Sequence, residues 1–104
     1  MGSATKIQTK NLHSSPDEVL TSEKEKIEMV SLEDLTLARM TLQPGWSWEK
    51  QVKPKAKTNS CEVHHTSYII SGRMKTVMDD GTEVESGAGT VAVVPPGHNT
   101  WVVR

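Results

Sequence analysis

The sequence predicts an all-β protein, an antiparallel sandwich or barrel of short strands. Three observations support this prediction. Apolar and polar residues alternate with a period of two from residue 25 onward, turns rich in Gly and Pro recur at regular intervals, and no segment has a convincing helical period. With 104 residues, the chain is long enough for one small domain, with or without a tail.

Composition excludes several classes of function. Twelve Lys and Arg against 13 Asp and Glu give a net charge of -1, so the chain has no global basic field for nucleic acid. The longest apolar stretch, Thr90 to Val94, is far short of a membrane span, and the first residues resemble no signal peptide. Cys61 is the single cysteine, which excludes an intrachain disulfide. We therefore expect a cytoplasmic protein with neither nucleic acid nor membrane as a partner.

The first 24 residues are polar and rich in turn formers. The run from Ser14 to Glu18 resembles a cap followed by a short helical turn. This segment is either a flexible arm or a strand and turn that docks on a neighbour, and in both cases it lies outside the core. We therefore divide the chain into an N-terminal arm, residues 1–24, and a β domain, residues 25–104.

The first strands of the domain follow from alternation. Residues 27–32 and 35–42 each alternate, and Glu33-Asp34 forms the turn between them. Pro44-Gly45 ends the second strand. Trp46 and Trp48 lie two residues apart, so we expect both on one face of a further strand.

Residues 50–60 contain few apolar side chains and are predicted to form a loop. They carry four lysines, Lys50, Lys53, Lys55 and Lys57. The segment is either a solvated loop or a lid or rim that attracts anions, because four lysines in so short a stretch raise the local potential.

The second half alternates between short strands and turns. Asp79 to Thr82 contains the Asp-Gly pair typical of a tight hairpin, and residues 87–89 and 95–97 form two further turns. The predicted strands are Val63–Ile70, Met74–Met78, Glu83–Glu85, Thr90–Val94 and Thr100–Val103. The apolar run Thr90–Val94 is expected to be buried.

The donor residues of the domain are one cysteine and three histidines. Residues two apart on a strand share a face, so Cys61 and His65 converge on one side, while His64 points outward with Glu62. His98 follows a rigid Pro-Pro-Gly turn, which suits either a fixed ligand or a plain hairpin corner. Thiolate and imidazole bind divalent transition metals. Without a metal, Cys61 is a small buried hydrophobe.

Two longer motifs contain these donors. Residues 61–74 read CEVHHTSYIISGRM, and this run resembles the first cupin motif, a ligand-bearing strand that ends in an apolar run and a Gly turn. Residues 89–98 read GTVAVVPPGH and resemble the second cupin motif, with the hairpin of residues 79–82 between the two. The resemblance covers about residues 30–104. It is closest to small single-domain cupins that have Cys-x3-His and Pro-Pro-Gly-His motifs.

The resemblance implies a fold and a ligand set. The fold is a double-stranded β-helix, or jelly-roll barrel, with the ligand pocket inside. The usual two histidines and glutamate of the first motif correspond here to Asn59, Cys61 and His65. The usual histidine of the second motif corresponds to Thr100, and His98 lies two residues earlier. The implied metal ligands are therefore Cys61, His65 and His98, with Asn59 or water as a fourth.

The resemblance also implies a function. We expect a metal-binding cupin that acts on or binds a small organic molecule inside the barrel, with zinc, iron or manganese as the metal. No residue is an obvious general base, so catalysis stays open. The alternative is a metal-free binding or sensor module without catalytic activity. Cupins usually continue beyond the second motif, whereas this sequence stops at Arg104. An exposed final edge with Val102 and Val103 favours pairing with a second subunit, so we expect a homodimer.

Overall fold

The computed structural model describes residues 5–103. The outer ends of the predicted arm and domain, residues 1–4 and 104, lie outside the described residues. Strands account for 45% of the structure and helices for 8%, and every strand pair is antiparallel, so the all-β prediction is confirmed. In chain order the elements are β1 (Glu18–Ser22), β2 (Glu25–Ser31), β3 (Thr36–Leu42), α1 (Trp48–Gln51), α2 (Lys53–Ala56), β4 (His65–Tyr68), β5 (Arg73–Met78), β6 (Glu83–Gly87), β7 (Val91–Val94) and β8 (His98–Val102).

The strands form three small sheets, with strand orders β1-β2-β3, β4-β7 and β6-β5-β8, and none of them closes into a barrel. The chain divides into two compact units, Met1–Leu42 and Gln43–Arg104. The first unit contains the β1-β2-β3 sheet, and the second contains both helices and the other two sheets.

The first unit is a three-stranded meander. All five residues of β1 are exposed, and β1 pairs with β2 across a tight turn in which Lys24 has a φ of 67°. The expected boundary between residues 24 and 25 therefore falls inside a hairpin. The helical turn predicted at Ser14 to Glu18 is wrong. The Asn11 side chain accepts hydrogen bonds from the backbone N–H groups of His13 and Ser14, which closes a turn before β1 begins.

The buried positions of this meander lie on β2. Val30 and Glu28 are 4% and 5% exposed. The Glu28 carboxylate accepts from Arg39 on β3, at 3.1 Å from Nε and 2.8 Å from Nη2. These hydrogen bonds from the guanidinium hold the pKa of Glu28 below its ordinary value.

The second unit begins with a pair of one-turn helices. Trp46 and Trp48 are buried, at 3% and 4% exposed, but the strand predicted for them is wrong because Trp48 is the first residue of α1. The Ser47 hydroxyl accepts a hydrogen bond from the Lys50 N–H, and the Gln51 side chain accepts one from the Ser47 N–H. These two reciprocal hydrogen bonds cap the N-terminus of α1. The loop predicted for residues 50–60 thus contains helical turns at both α1 and α2.

The β6-β5-β8 sheet has two different faces. The predicted Asp-Gly hairpin joins β5 to β6, with Gly81 at a φ of 94°. One face carries two ion pairs, Arg73 with Glu85 and Lys75 with Glu83, each at 2.8 Å. The register places His98, Thr100, Thr76 and Met78 on the other face, in cross-strand pairs.

The β4-β7 sheet has only two strands. Tyr68 pairs with Val91 and Thr66 with Val93, so these four side chains share one face. Tyr68, Val91 and Val93 are 61%, 68% and 64% exposed. Complete burial of Thr90–Val94 is therefore wrong, whereas the outward placement of Tyr68 agrees with the sequence. His65 and Val94 lie on the opposite face.

Candidate metal centre

Cys61, His65 and His98 come together in the second unit. Each offers one ligand atom, and these three atoms all lie within 4.8 Å of one another. Within residues 5–103 no other group of three or more Cys, His, Asp or Glu side chains converges in this way. His98 therefore joins Cys61 and His65 in one cluster, although it lies far from them in the sequence.

Backbone hydrogen bonds hold Cys61 against His98. The Cys61 N–H donates to the His98 carbonyl at 2.7 Å, and the N–H groups of Gly97 and His98 donate to the Cys61 carbonyl at 2.7 and 3.2 Å. Gly97 has a φ of 94°, a conformation that favours glycine, and it turns the chain into β8. His65 starts β4, so the cluster joins the beginnings of β4 and β8.

One distance within the cluster has the value expected between two metal ligands. Cys61 Sγ lies 3.5 Å from His65 Nε2, and the ring centroids of His65 and His98 are 5.2 Å apart at 66°. In a tetrahedral zinc site, ordinary Zn–S and Zn–N bonds place sulfur and nitrogen about 3.5 Å apart. The sulfur and the first imidazole nitrogen therefore already have the separation of two ligands of one ion.

A backbone carbonyl orients the ring of His98. His98 is 2% exposed, and its Nδ1 lies 2.8 Å from the Pro95 carbonyl oxygen. A carbonyl oxygen can only accept, so Nδ1 carries a proton and Nε2 is the ring nitrogen that could bind a metal. Metal-binding histidines commonly have this arrangement, in which a backbone carbonyl orients the ring.

The pKa of His65 lies below its ordinary value. Desolvation of the ring is the largest cause, although the residue as a whole is exposed, and positive charge on His98 or on His64 lowers the pKa further. A neutral imidazole has a lone pair for a metal. Cys61, at 7% exposed, contributes a sulfur shielded from solvent. The electrostatics of the cluster thus favour the ligand form of His65.

A buried serine ties the segment before Cys61 to the β5-β6 hairpin. The Ser60 hydroxyl, in a residue 4% exposed, lies 3.0 Å from an Asp79 carboxylate oxygen and 3.1 Å from one of Glu62. The Asp79 N–H in turn donates to the Gly97 carbonyl at 2.8 Å. Sequence reasoning missed Ser60 and treated Asp79 as a turn residue only, because a contact across 19 residues leaves no local signal.

The other candidate residues lie outside the cluster. His64 is exposed, as the strand parity predicted. The Thr100 hydroxyl donates to the Lys75 carbonyl at 2.9 Å and lies 3.2 Å from the Thr76 hydroxyl. The cluster therefore contains His98 and not Thr100. Asn59 lies in an open groove with Lys53 and Lys57.

Two open grooves among the described residues lie elsewhere. One, of about 550 Å³, lies in the first unit and is lined by Thr9, Lys10, Asn11, Ser15 and Asp17. The other, of about 560 Å³, lies in the second unit and is lined by Glu49, Lys53, Pro54, Lys57, Thr58 and Asn59. None of the three cluster residues lines either groove.

Comparisons of the chain with protein-family models, with curated proteins and with solved structures gave no significant match. Across residues 5–103 there is no helix of the length and apolar character that spanning a membrane requires.

Proposed function

We propose that this chain binds a divalent transition metal ion through Cys61, His65 and His98. The observation that carries the proposal is the convergence of one sulfur and two imidazole nitrogens within 4.8 Å. A set of one thiolate and two imidazoles favours zinc, with iron or manganese as the alternatives. Three protein ligands leave a coordination position for water or an organic ligand.

The residues around the metal favour a binding role. A bound divalent ion supplies Lewis acidity to whatever occupies the open position. The chain itself holds the ligands in place: the Pro95 carbonyl orients His98, and Ser60 fixes the segment before Cys61. Among the described residues no Asp or Glu joins the cluster to serve as a general base. We therefore propose that the chain binds a small organic molecule at the metal.

We further propose a fold of the cupin type, a double-stranded β-helix. The order of the elements supports it: β4 lies in the first motif, the β5-β6 hairpin follows, and β7 with the Pro-Pro-Gly turn lies in the second. Both motifs contribute to one cluster, through His65 and His98. We also propose a cytoplasmic location, where the single thiol of Cys61 stays reduced.

The test is the metal content of the full chain, refolded with zinc, iron or manganese and measured by elemental analysis. We expect close to one ion per chain, and zinc in preference to the others. Cys61→Ala, His65→Ala and His98→Ala each lose the metal, whereas the matched control His64→Ala retains it. Circular dichroism shows whether each variant folds.

Folded wild-type protein that binds none of the three metals at micromolar concentration would contradict the proposal. That result would favour the metal-free binding module, for which the contact between Cys61 Sγ and His65 Nε2 is a hydrogen bond in its own right. Equal loss of metal from His64→Ala would also contradict the assignment of ligands.

We propose in addition that a second copy of the chain covers the exposed face of the β4-β7 sheet. Tyr68, Val91 and Val93 on this face are more than half exposed, and neither strand contains an Asp, Glu, Lys or Arg. Nothing on these strands therefore repels an identical face or attracts a charged partner, and isologous pairing lets the same patch serve both copies.

Light scattering after size-exclusion chromatography tests this proposal. We expect a dimer for the wild type and a monomer for Val93→Lys. Val84→Lys is the matched control, because Val84 is also exposed, at 55%, but lies on β6 in the other sheet. A monomeric wild type, or equal dissociation by both variants, would refute the proposed interface.

A further inference from the structure

The cations of the second unit fall into two groups. Arg73 and Lys75 on β5 each pair with a glutamate of β6 at 2.8 Å. The remaining cations of residues 43–103 lie in one short segment, and no carboxylate of the described residues lies within 4 Å of them; they are Lys50, Lys53, Lys55 and Lys57. The cations of the sheet are therefore paired, whereas these four lysines form no ion pair within the described part of the chain.

Two of these lysines line one groove. Lys53 and Lys57 are four residues apart across α2, and the groove of about 560 Å³ that they line also contains Asn59 and Glu49. Lys57 ends α2 with a φ of 61°, and its N–H donates to the Lys53 carbonyl at 2.8 Å. Lys50 and Lys55 do not line the groove. The structure thus separates two groove lysines from two outer lysines.

The groove has the chemistry of an anion site. Lys53 is half-buried and has no partner of opposite charge among the described residues. An ammonium group without a carboxylate partner attracts anions, and a bound anion would neutralise it. The Asn59 amide adds neutral N–H donors, while Glu49 reduces the positive potential. Two ammonium groups and one amide suit a carboxylate or a phosphate.

The groove lies close in sequence to the proposed metal centre. Asn59 precedes Cys61 by two residues, so their Cα atoms are at most about 7 Å apart. We propose that the groove binds the anionic group of a small organic ligand, a carboxylate or phosphate, and that the other end of this ligand reaches the metal. The second half of this inference rests on the proposed metal centre, whereas the first half does not.

Titration of the isotope-labelled full chain tests the groove. Inorganic phosphate and malonate are the probes, added at constant ionic strength, and the amide signals of Thr58 and Asn59 are followed by NMR. We expect saturable shifts, and the probe that binds more tightly identifies phosphate or carboxylate as the preferred group. Lys53→Gln/Lys57→Gln weakens binding roughly tenfold, because it removes charge-assisted contacts.

The matched control is Lys50→Gln/Lys55→Gln, which changes the net charge by the same amount. We expect it to alter the affinity by less than about twofold, since exposed charges outside the groove are screened by salt. Glu49→Gln strengthens binding. Equal weakening by the two double variants, or shifts that do not saturate with either probe, overturns the anion site.

The connection to the metal is tested separately. Malonate is titrated against protein with and without zinc, and against Cys61→Ala. We expect zinc to tighten malonate binding in the wild type only. Unchanged malonate affinity in zinc-loaded protein overturns the connection but leaves the groove. Failure of the chain to bind metal, with intact phosphate titration, overturns the proposed metal function and the connection but not the groove.

Discussion

At the scale of single residues, His98 belongs to the candidate metal centre and Thr100 does not. Both side chains lie on the same face of β8, two residues apart. The Pro95 carbonyl orients the His98 ring, whereas the Thr100 hydroxyl is engaged with the Lys75 carbonyl and lies beside Thr76. Thr100 occupies the position at which the resemblance to cupins expects a metal ligand. Its hydroxyl therefore has a structural role in this protein.

Replacement of Thr100 separates these roles. Thr100→Val keeps the shape of the side chain and removes the hydroxyl, so we expect a loss of about 1 kcal/mol in the free energy of unfolding. Metal content should stay equal to that of the wild type, in contrast to His98→Ala. Urea denaturation and elemental analysis measure the two quantities. Loss of the metal from Thr100→Val would mean that this position contributes to the site after all.

The Glu28–Arg39 ion pair makes the free energy of unfolding depend on pH. Because Arg39 lowers the pKa of Glu28, the unfolded chain takes up a proton at higher pH than the folded chain does. The contribution of this carboxylate to stability is complete above its ordinary pKa of about 4.5 and is lost as the pH falls through the lowered value. We expect Arg39→Gln to reduce stability at pH 7 and to make the loss of stability in acid smaller, because the folded and unfolded pKa values of Glu28 then lie closer together.

Amide hydrogen exchange of β2 at several pH values measures this effect. Lys10→Gln is the control, since Lys10 also lowers the pKa of its partner Asp17. Those two side chains are 39% and 41% exposed, so solvent screens the pair and the effect should be smaller. An equal response of the two variants would contradict the importance of burial at Glu28.

Strand parity predicted part of the cluster, although residues 62–64 lie outside any strand of the structure. Cys61 and His65 do come together and His64 is exposed, but His65 is exposed as well. Ser60 could not be predicted in this way. The Ser60 hydroxyl forms a hydrogen bond with Asp79, which lies 19 residues later in the chain, and no pattern in the neighbouring sequence indicates this contact.

At the scale of elements, the strands and turns were predictable and the short helices were not. Asp-Gly and Gly-rich turns impose a backbone geometry that few other residues adopt, so the hairpin after Met78 follows from its sequence. Helices α1 and α2 have four residues each, too few to show a period of 3.6. Trp46 and Trp48 have the two-residue spacing of a strand. The hydrogen bonds of the Ser47 and Gln51 side chains nevertheless stabilise a helical turn at this point.

Two glycines in equivalent backbone conformations allow a test of one turn. Gly97 and Gly81 both have a φ of 94°, but an added Cβ would lie 3.1 Å from an Asp79 carboxylate oxygen at Gly97 and would meet nothing within 4 Å at Gly81. Backbone strain alone should cost roughly 1–2 kcal/mol in each alanine variant. We expect Gly97→Ala to lose more stability than Gly81→Ala, and also to weaken metal binding because it displaces His98.

Urea denaturation and metal titration of the two variants give this comparison. Equal destabilisation would mean that the Asp79 side chain moves aside freely. Unchanged metal affinity in Gly97→Ala would contradict the role of this turn in positioning His98.

At the scale of the whole molecule, metal binding should appear as stability. An ion that binds only the folded chain raises the free energy of unfolding by about 2.7 kcal/mol when its free concentration is a hundred times its dissociation constant. Calorimetry should therefore show a higher melting temperature with zinc than with a chelator. Cys61→Ala should melt at the same temperature in both conditions, and a zinc shift that persists in this variant would contradict binding at the cluster.

The pairing of strands that are distant in sequence could not be predicted from the local sequence pattern. Alternation identifies strands, but the pairing of β4 with β7 and of β5 with β8 depends on contacts between distant segments. The run Val91 to Val94 predicts burial on both faces because all four residues are apolar. In the structure Val91 and Val93 are exposed while Ala92 and Val94 are half-buried, so only one face is covered.

The distribution of aromatic residues has a consequence for spectroscopy. Trp46, Trp48, Tyr68 and Trp101 all lie in the second unit, and residues 1–42 contain no Trp, Tyr or Phe. Ultraviolet absorbance and intrinsic fluorescence will therefore record the environment of residues 43–103 alone. The β1-β2-β3 sheet has no intrinsic fluorophore of its own. An unfolding curve followed by fluorescence can therefore show a single sharp transition without any information about that sheet. A tryptophan introduced on β3 at Leu37, which is 55% exposed, would make it visible.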